Sequence, residues 1–186
     1  MLRSNTTDAA RALDALPEAC GDDIVAAAEA IITSLRSQGH LWLFGNGGSA
    51  SDAQHIACEL AGRFIQKRKP LAATALTTNT SSLTAIGNDY GYEHIFTRQL
   101  EGVARSGDVA LGISTSGSSA NVVLALQAAA SMGVRTIGLT GRPGRRVAEV
   151  SEITIRVPSD NTQRIQECHI AVGHTLCQLV EETLFP

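Results

Sequence analysis

Two side chains that can move protons, His55 and Glu59, stand four positions apart just after a glycine-rich turn. Four residues make about one helical turn, so a helix in this place presents the imidazole and the carboxylate on one face. The glycines of Gly45-Asn46-Gly47-Gly48 let the backbone approach a ligand closely, and Ser49 or Ser51 would cap the helix. The stretch therefore predicts an anion site beside a proton-handling site.

A second candidate loop, Ser114-Thr115-Ser116-Gly117-Ser118-Ser119, follows an apolar run and precedes a helix predicted from about Ala120. Hydroxyls and backbone amides at the positive end of a helix suit a phosphate monoester. The alternative is that the serines only cap the helix and fill a turn, but six hydroxyl or glycine positions in succession favour phosphate. No GxxxxGK[ST] motif occurs, and GNGGSA lacks the GxGxxG spacing, so neither a nucleotide loop nor a dinucleotide fingerprint is predicted.

Short apolar runs alternate with helical patterns from Leu41 onward. The runs predict strands near residues 41–45, 71–77, 108–114, 134–140 and 153–157. Such alternation predicts an α/β three-layer sandwich with a five-stranded parallel sheet flanked by helices, in which ligands gather at the carboxyl ends of the strands. The last helix, from about Asn161 to Thr183, carries Gln166, His169 and His174 among apolar residues, and these polar side chains require partners.

The N-terminal region from about Asn5 to Arg36 has helical spacing, and Pro17 with Gly21 predicts two helices rather than one. We expect a single domain over residues 1–186, with residues 1–38 packing on neighbouring subunits and residues 39–186 forming the sandwich core. A chain of 186 residues is near the size of one domain.

The amino-acid composition limits the classes of binding partner that we expect. The 15 Lys and Arg against 18 Asp and Glu form no basic stripe, so no nucleic-acid partner is expected. The N-terminus lacks a signal-peptide pattern and no apolar run reaches membrane length, so we expect a cytoplasmic protein without a membrane partner. The cysteines show no CxxC spacing and are expected to be free, mostly buried thiols rather than metal or redox groups: Cys20, Cys58, Cys168 and Cys177.

The two loops together resemble the sugar isomerase (SIS) domain family. The blocks GNGGSASDAQHIACELAGRF, LTAIGNDYGYEHIF, GDVALGISTSGSSANV, GLTG and RIQECHIAVGHTL further resemble the phosphoheptose isomerases, in order, from Gly39 to Pro186. The resemblance implies interconversion of sedoheptulose 7-phosphate and D-glycero-D-manno-heptose 7-phosphate, which feeds nucleotide-activated heptose synthesis for the bacterial cell envelope. This aldose–ketose shift needs a base, an enediol intermediate and an acid, but no organic cofactor.

The resemblance also assigns residues. Glu59 is implied as the catalytic base and His174 as the catalytic imidazole, while Arg63 would orient the substrate or hold the carboxylate and Asp89 would bind sugar hydroxyls. A surface ion pair and a turn cap are the alternatives for the last two. The complete implied substrate-binding set is Asn46, Gly47, Gly48, Ser49, Glu59, Arg63, Asn88, Asp89, Ser114, Thr115, Ser116, Ser119 and Gln166.

Some family members hold zinc, and the matching positions are His55, Glu59, Gln166 and His174, which implies one ion per subunit. On a regular helix Gln166 and His174 are about 12 Å apart along the axis, whereas zinc–ligand bonds are about 2 Å long. We therefore expect either that different protomers donate these two residues or that the helix is irregular. A hydrogen-bonded His55–Glu59 pair without metal is the alternative. The resemblance also implies a homotetramer.

The sequence departs from the family pattern at two places. Arg145-Arg146 stands where members often carry a second glycine, and Ser151-Glu152 replaces an Ala-Asp pair. We expect a changed surface loop, with substrate-phosphate contact by the arginines as the alternative.

Two rival functions are considered. The first is that of a non-catalytic relative that binds the replication initiator, and the second is that of a different phosphosugar isomerase or sensor. Glu59 and His174 favour an enzyme, because a binding module has no need of them.

Overall fold

The computed structural model describes all 186 residues as one α/β sandwich. Two N-terminal helices precede five strands that alternate with six further α-helices, and a 3₁₀ turn spans Tyr92–His94. The helices are α1 Leu2–Asp14, α2 Leu16–Arg36, α3 Gly48–Ala61, α4 Thr80–Tyr90, α5 Thr97–Val103, α6 Ala120–Ser131, α7 Arg145–Val150 and α8 Thr162–Leu184. The strands are β1 Leu41–Gly45, β2 Ala73–Ala75, β3 Val109–Ser114, β4 Arg135–Thr140 and β5 Ile153–Arg156.

The five strands form one parallel sheet in the order β2-β1-β3-β4-β5, as predicted. The register pairs Leu41 with Val109 and Gly45 with Ile113, so β1 and β3 end side by side. Every residue of β1 and β3 is buried, because helices cover both faces of a parallel sheet. The strand order reverses between β1 and β3, because β2 lies on one side of this pair whereas β4 and β5 lie on the other. Ligands bind at such a switch point.

Alternate strand residues supply two hydrophobic cores. On one face, Leu43 and Leu111 pack with the buried stripes of α2, α3 and α8. On the other face, Phe44 packs with the helices that precede and follow β3. Gly112 lies on that second face, and a Cβ atom there would sit 2.9 Å from Val122 Cγ1. The sheet and α6 therefore approach closely behind the loop that joins β3 to α6.

The N-terminal region that was predicted to be helical contains a kink within α2. Cys20, between Pro17 and Gly21, has non-helical dihedrals (φ −152°, ψ 18°) and kinks α2. Proline removes a backbone donor and glycine costs helix stability, which explains the position of the kink. The inner face of α2 packs within its own chain, whereas Val25 on its outer face is 50% exposed. Packing of this region on neighbouring subunits stays a prediction.

None of the eight helices has both the length and the apolar character that a membrane crossing requires.

Candidate functional site

The glycine-rich turn leads from β1 into α3, as the sequence predicts, but the predicted serine cap is wrong. Gly47 occupies the N-cap position with φ 55°, and no side chain caps the helix. Ser49 is instead the second residue of α3, where it is buried against Gly45. A Cβ atom on Gly45 would lie 2.8 Å from Ser49 Cβ and 2.9 Å from the Ile113 carbonyl oxygen, so this approach requires glycine. The first amides of α3 are left without a side-chain cap.

Asn46 ties the two binding loops together. Its side-chain amide exchanges hydrogen bonds of 2.9 and 2.8 Å with that of Asn121, in the first turn of α6. The Tyr92 hydroxyl donates to Asn46 Oδ1 at 3.1 Å. Sequence reasoning did not single out Asn121 or Tyr92, although Asn121 ends the STSGSSAN block. The fixed amide pair means that the loops after β1 and β3 act as one rim.

The serine-rich loop joins the carboxyl end of β3 to the N-terminus of α6. Ser114 and Ser119 share a 2.9 Å hydrogen bond between their hydroxyls, and Ser119 is the N-cap residue without capping through its side chain. The carbonyl of Ser119 accepts from the amides of Val122 and Val123, which leaves the earlier amides of α6 for a ligand. Hydroxyls and unpaired amides at a positive helix end make an anion site.

A cavity of about 240 Å³ opens beside this loop. Its walls combine loop hydroxyls with charged side chains from the β4–α7 connection and the approach to α8. The lining residues are Thr115, Ser116, Pro143, Arg145, Asp160, Thr162 and Ile165. Arg145 is exposed and adopts φ 46°, a backbone conformation that side chains other than glycine rarely take. Arg145 and Arg146 are thus the first, exposed residues of helix α7 instead of lying in the surface loop that was expected, and Arg145 borders the cavity.

The proton-handling pair lies on the exposed face of α3. His55 Nε2 is 3.6 Å from Glu59 Oε1, as helical spacing predicts, and 21% of the Glu59 side chain is exposed. His174 of α8 contributes a second imidazole, whose Nε2 is 3.0 Å from His55 Nε2. Phe64 covers this imidazole from one side, with ring centroids 5.9 Å apart. His55 therefore lies between a carboxylate of its own helix and an imidazole of α8 within a single chain.

Gln166 does not join that cluster. Its side-chain amide lies against Gly48 at the start of α3, so closely that a Cβ atom on Gly48 would clash with Gln166 Nε2. Helix α8 is continuous from Thr162 to Leu184, which removes the expected alternative of an irregular helix. Gln166 thus lies at the glycine-rich end of the site in its own chain, while His174 lies at the end that carries His55 and Glu59.

The remaining polar interruption of α8, His169, is fully buried, and neither ring nitrogen has a hydrogen-bond partner of good geometry. Burial lowers the pKa of His169 to about 4, although the Thr140 backbone carbonyl partly opposes this shift. The imidazole is therefore neutral at physiological pH and is not positioned at the open face of the site.

The other predicted polar residues stand apart from the cluster. Arg63 is exposed and makes no ion pair or hydrogen bond, while Asp89 accepts a 2.7 Å hydrogen bond from Asn88 on the exposed end of α4. The surface ion pair considered for Arg63 is absent. Among the four cysteines, Cys20, Cys168 and Cys177 are buried as expected, but Cys58 is exposed beside Glu59.

Asp52, on the first turns of α3, is a titratable group that sequence reasoning did not single out. Its Oδ2 atom is buried without a hydrogen-bond partner. Burial raises the pKa of Asp52 to about 6, and His55 partly opposes the shift. The site therefore contains a carboxyl group that titrates near physiological pH.

Comparisons with known proteins agree with this geometry. A family model described as SIS domain matches residues 6–141. The phosphoheptose isomerase of Rhodospirillum rubrum is 56% identical over 165 residues, which cover 89% of this chain and 88% of that protein.

Solved structures give the same result in three dimensions. The phosphoheptose isomerase of Neisseria gonorrhoeae superposes with a TM-score of 0.92 at 42% identity, covering 97% of both chains. That of Francisella tularensis gives a TM-score of 0.94 at 34% identity, covering 97% of this chain and 96% of the other. The chain belongs to the SIS domain family and, within it, to the phosphoheptose isomerases.

Proposed function

We propose that the protein is an aldose–ketose isomerase that converts sedoheptulose 7-phosphate to D-glycero-D-manno-heptose 7-phosphate. The observation that carries the proposal is the position of His55, whose Nε2 atom lies 3.6 Å from Glu59 Oε1 and 3.0 Å from His174 Nε2. The serine-rich loop at the N-terminus of α6 supplies a site for the phosphate. The family membership supports the same activity. The product would feed nucleotide-activated heptose for lipopolysaccharide and the cell envelope.

The reaction moves one proton between two neighbouring carbons. In the proposed mechanism Glu59 removes the proton from C1 of the ketose, and the electrons form an enediol across C1 and C2. His174 donates a proton to the C2 carbonyl oxygen as charge develops there. The imidazole then takes the proton of the C1 hydroxyl as the C1 carbonyl forms, and Glu59 returns a proton to C2. An imidazole carries one ring nitrogen that can donate a proton and one that can accept a proton, which suits a group that must do both.

Substrate placement follows from the two loops. Ser114, Thr115, Ser116 and Ser119 would hold the phosphate with the first amides of α6. Asn46, Gly47, Gly48, Ser49 and Gln166 would line the sugar, since they meet at the start of α3. Arg63, Asn88 and Asp89 are exposed, and we propose that they contact the sugar when substrate is bound.

The donor set also fits one zinc ion per subunit. Two imidazole nitrogens and a carboxylate, from His55, His174 and Glu59, are ligands that Zn²⁺ accepts. When bound, the ion would act as a Lewis acid toward substrate oxygens. Gln166 of the same chain contacts Gly48 instead, so we propose that it reaches a metal only across a subunit interface.

We propose a homotetramer whose sites lie at subunit interfaces, built from single SIS domains over residues 1–186. The exposed site cluster and the exposed apolar side chains Val25, Ile65 and Tyr90 support further packing partners. The substrate is a charged phosphosugar that does not cross membranes unaided, so we propose that the enzyme acts in the cytoplasm.

The deciding experiment follows sedoheptulose 7-phosphate by ¹H NMR in D₂O. The proposal expects the aldoheptose phosphate to appear, with solvent deuterium entering at the exchanging carbon. An inactive protein that still binds phosphosugar would support a sensor, and one that binds only the replication initiator would support an assembly factor. Turnover of another phosphosugar in preference to this one would replace the substrate.

A further inference from the structure

Cys58 stands apart from the other cysteines because it is exposed and lies on α3 between the two site residues His55 and Glu59. One ligand atom from each of these three side chains lies within 4.8 Å of the other two. Helical spacing explains the group, because residues three and four positions after His55 share its side of the helix. The thiol was expected to play no part in metal binding, and its position argues against that expectation.

His174 of α8 adds a second imidazole beside this group of three, with its Nε2 atom 3.0 Å from that of His55. Tetrahedral zinc with bonds of about 2.0–2.3 Å separates its ligand atoms by roughly 3.3–3.8 Å. The observed 3.0 Å between the imidazoles and 3.6 Å from His55 to Glu59 are close to that spacing. These two distances place His55 within range to share one ion with Glu59 of its own helix and with His174 of α8.

We propose that Cys58 is a metal ligand in this chain, supplying a thiolate as the fourth protein donor beside His55, Glu59 and His174. This inference rests on the metal centre of the proposed function. On binding, the thiol loses its proton to solvent and the sulfur shares a lone pair with the cation, so no oxidant or reductant takes part. A thiolate directs the site toward thiophilic ions such as Zn²⁺, Co²⁺ and Cd²⁺ rather than Mg²⁺ or Mn²⁺.

Cobalt spectroscopy tests the sulfur–metal bond directly. Addition of Co²⁺ to the metal-free protein should give a near-ultraviolet thiolate-to-cobalt charge-transfer band that is absent in Cys58→Ser and Cys58→Ala. Cys20→Ser, the matched control at a buried cysteine of α2, should keep the band. Zinc affinity in the two Cys58 variants should fall by more than the roughly 10- to 100-fold that loss of an outer partner costs.

Thiol chemistry gives a second readout on the unmodified protein. The metal-free chain should show one rapidly reacting thiol with a disulfide reagent, and one equivalent of Zn²⁺ should slow that reaction at least about tenfold. Failure to bind metal, a missing band, or unchanged reactivity with zinc bound would overturn the proposal. A wild type with the band but without isomerase activity would overturn only the proposed function, whereas an active enzyme without the band would overturn only this inference.

Discussion

The imidazoles of His55 and His174 meet at 3.0 Å although the two residues are 119 positions apart in the sequence. The meeting depends on the close packing of α3 and α8. Gly173, next to His174, faces Ile56, and a Cβ atom at position 173 would lie 2.6 Å from Ile56 Cδ1. A glycine at this crossing lets the two helices bring the imidazole of α8 against that of His55.

Glu59→Gln and His174→Gln should each lower kcat/KM for sedoheptulose 7-phosphate by about 10²–10⁴-fold, because each removes a proton-transferring group while retaining similar size. Steady-state kinetics on variants with unchanged circular dichroism and thermal midpoint would measure the effect. Either variant keeping more than about a tenth of wild-type activity would show that its side chain is not the proton carrier.

Ser119→Ala should raise KM for the phosphosugar about tenfold, with a smaller effect on kcat, because one hydrogen bond to a charged phosphate is worth roughly 1.5 kcal/mol. The hydroxyl of Ser119 already meets that of Ser114 at 2.9 Å, which holds it at the helix end. Ser118→Ala is the control. Inorganic phosphate as a competitive inhibitor should lose affinity in Ser119→Ala by the same factor, and equal inhibition of both variants would place the phosphate elsewhere.

The sheet was predictable because parallel strands buried on both faces leave near-continuous apolar runs, as in Leu41–Gly45 and Val109–Ser114. His55 and Glu59 were predictable from spacing within one helix. The contacts that join distant segments were not, because no local pattern reports that Asn46 pairs with Asn121. The cap prediction failed for a similar reason: Ser49 packs against Gly45, and that contact depends on the tertiary approach of the backbone.

Glu181→Gln should lower the free energy of unfolding by about 3–5 kcal/mol, because it leaves the buried Arg68 guanidinium without its counter-charge. The two side chains are only 2% and 1% exposed, and Arg68 Nε donates to Glu181 Oε2 at 2.7 Å. Arg68 also donates to the Glu59 carbonyl at 2.9 Å, so the pair anchors the chain just after the proposed base. Urea denaturation measures the loss, with Glu182→Gln on the exposed surface as the control.

The pH dependence of this pair has a defined sign. Burial raises the pKa of Glu181, but the amides of Gln66 and Ile65 and the Arg68 guanidinium together hold it below its ordinary value of 4.5. The stabilisation is thus present above pH 4.5 and is lost as the pH falls through the folded-state pKa. The difference between wild type and Glu181→Gln should shrink over that acidic range, and a constant difference would contradict a charge-based role.

Asp52→Asn should stabilise the metal-free protein at pH 7–8 by about 1–2 kcal/mol, because Oδ2 of this half-buried carboxylate has no hydrogen-bond partner. Burial raises the folded-state pKa from 3.8 to about 6, so the folded protein binds a proton that the unfolded chain releases between these values. The destabilisation that Asp52 causes should therefore fade as the pH falls from 6 toward 4, and the gain from Asp52→Asn should disappear over the same range. Urea titrations in the presence of a chelator, with the exposed Asp22→Asn as control, measure both effects. Equal stability of Asp52→Asn and wild type at pH 8 would mean that the carboxylate is solvated or paired in solution.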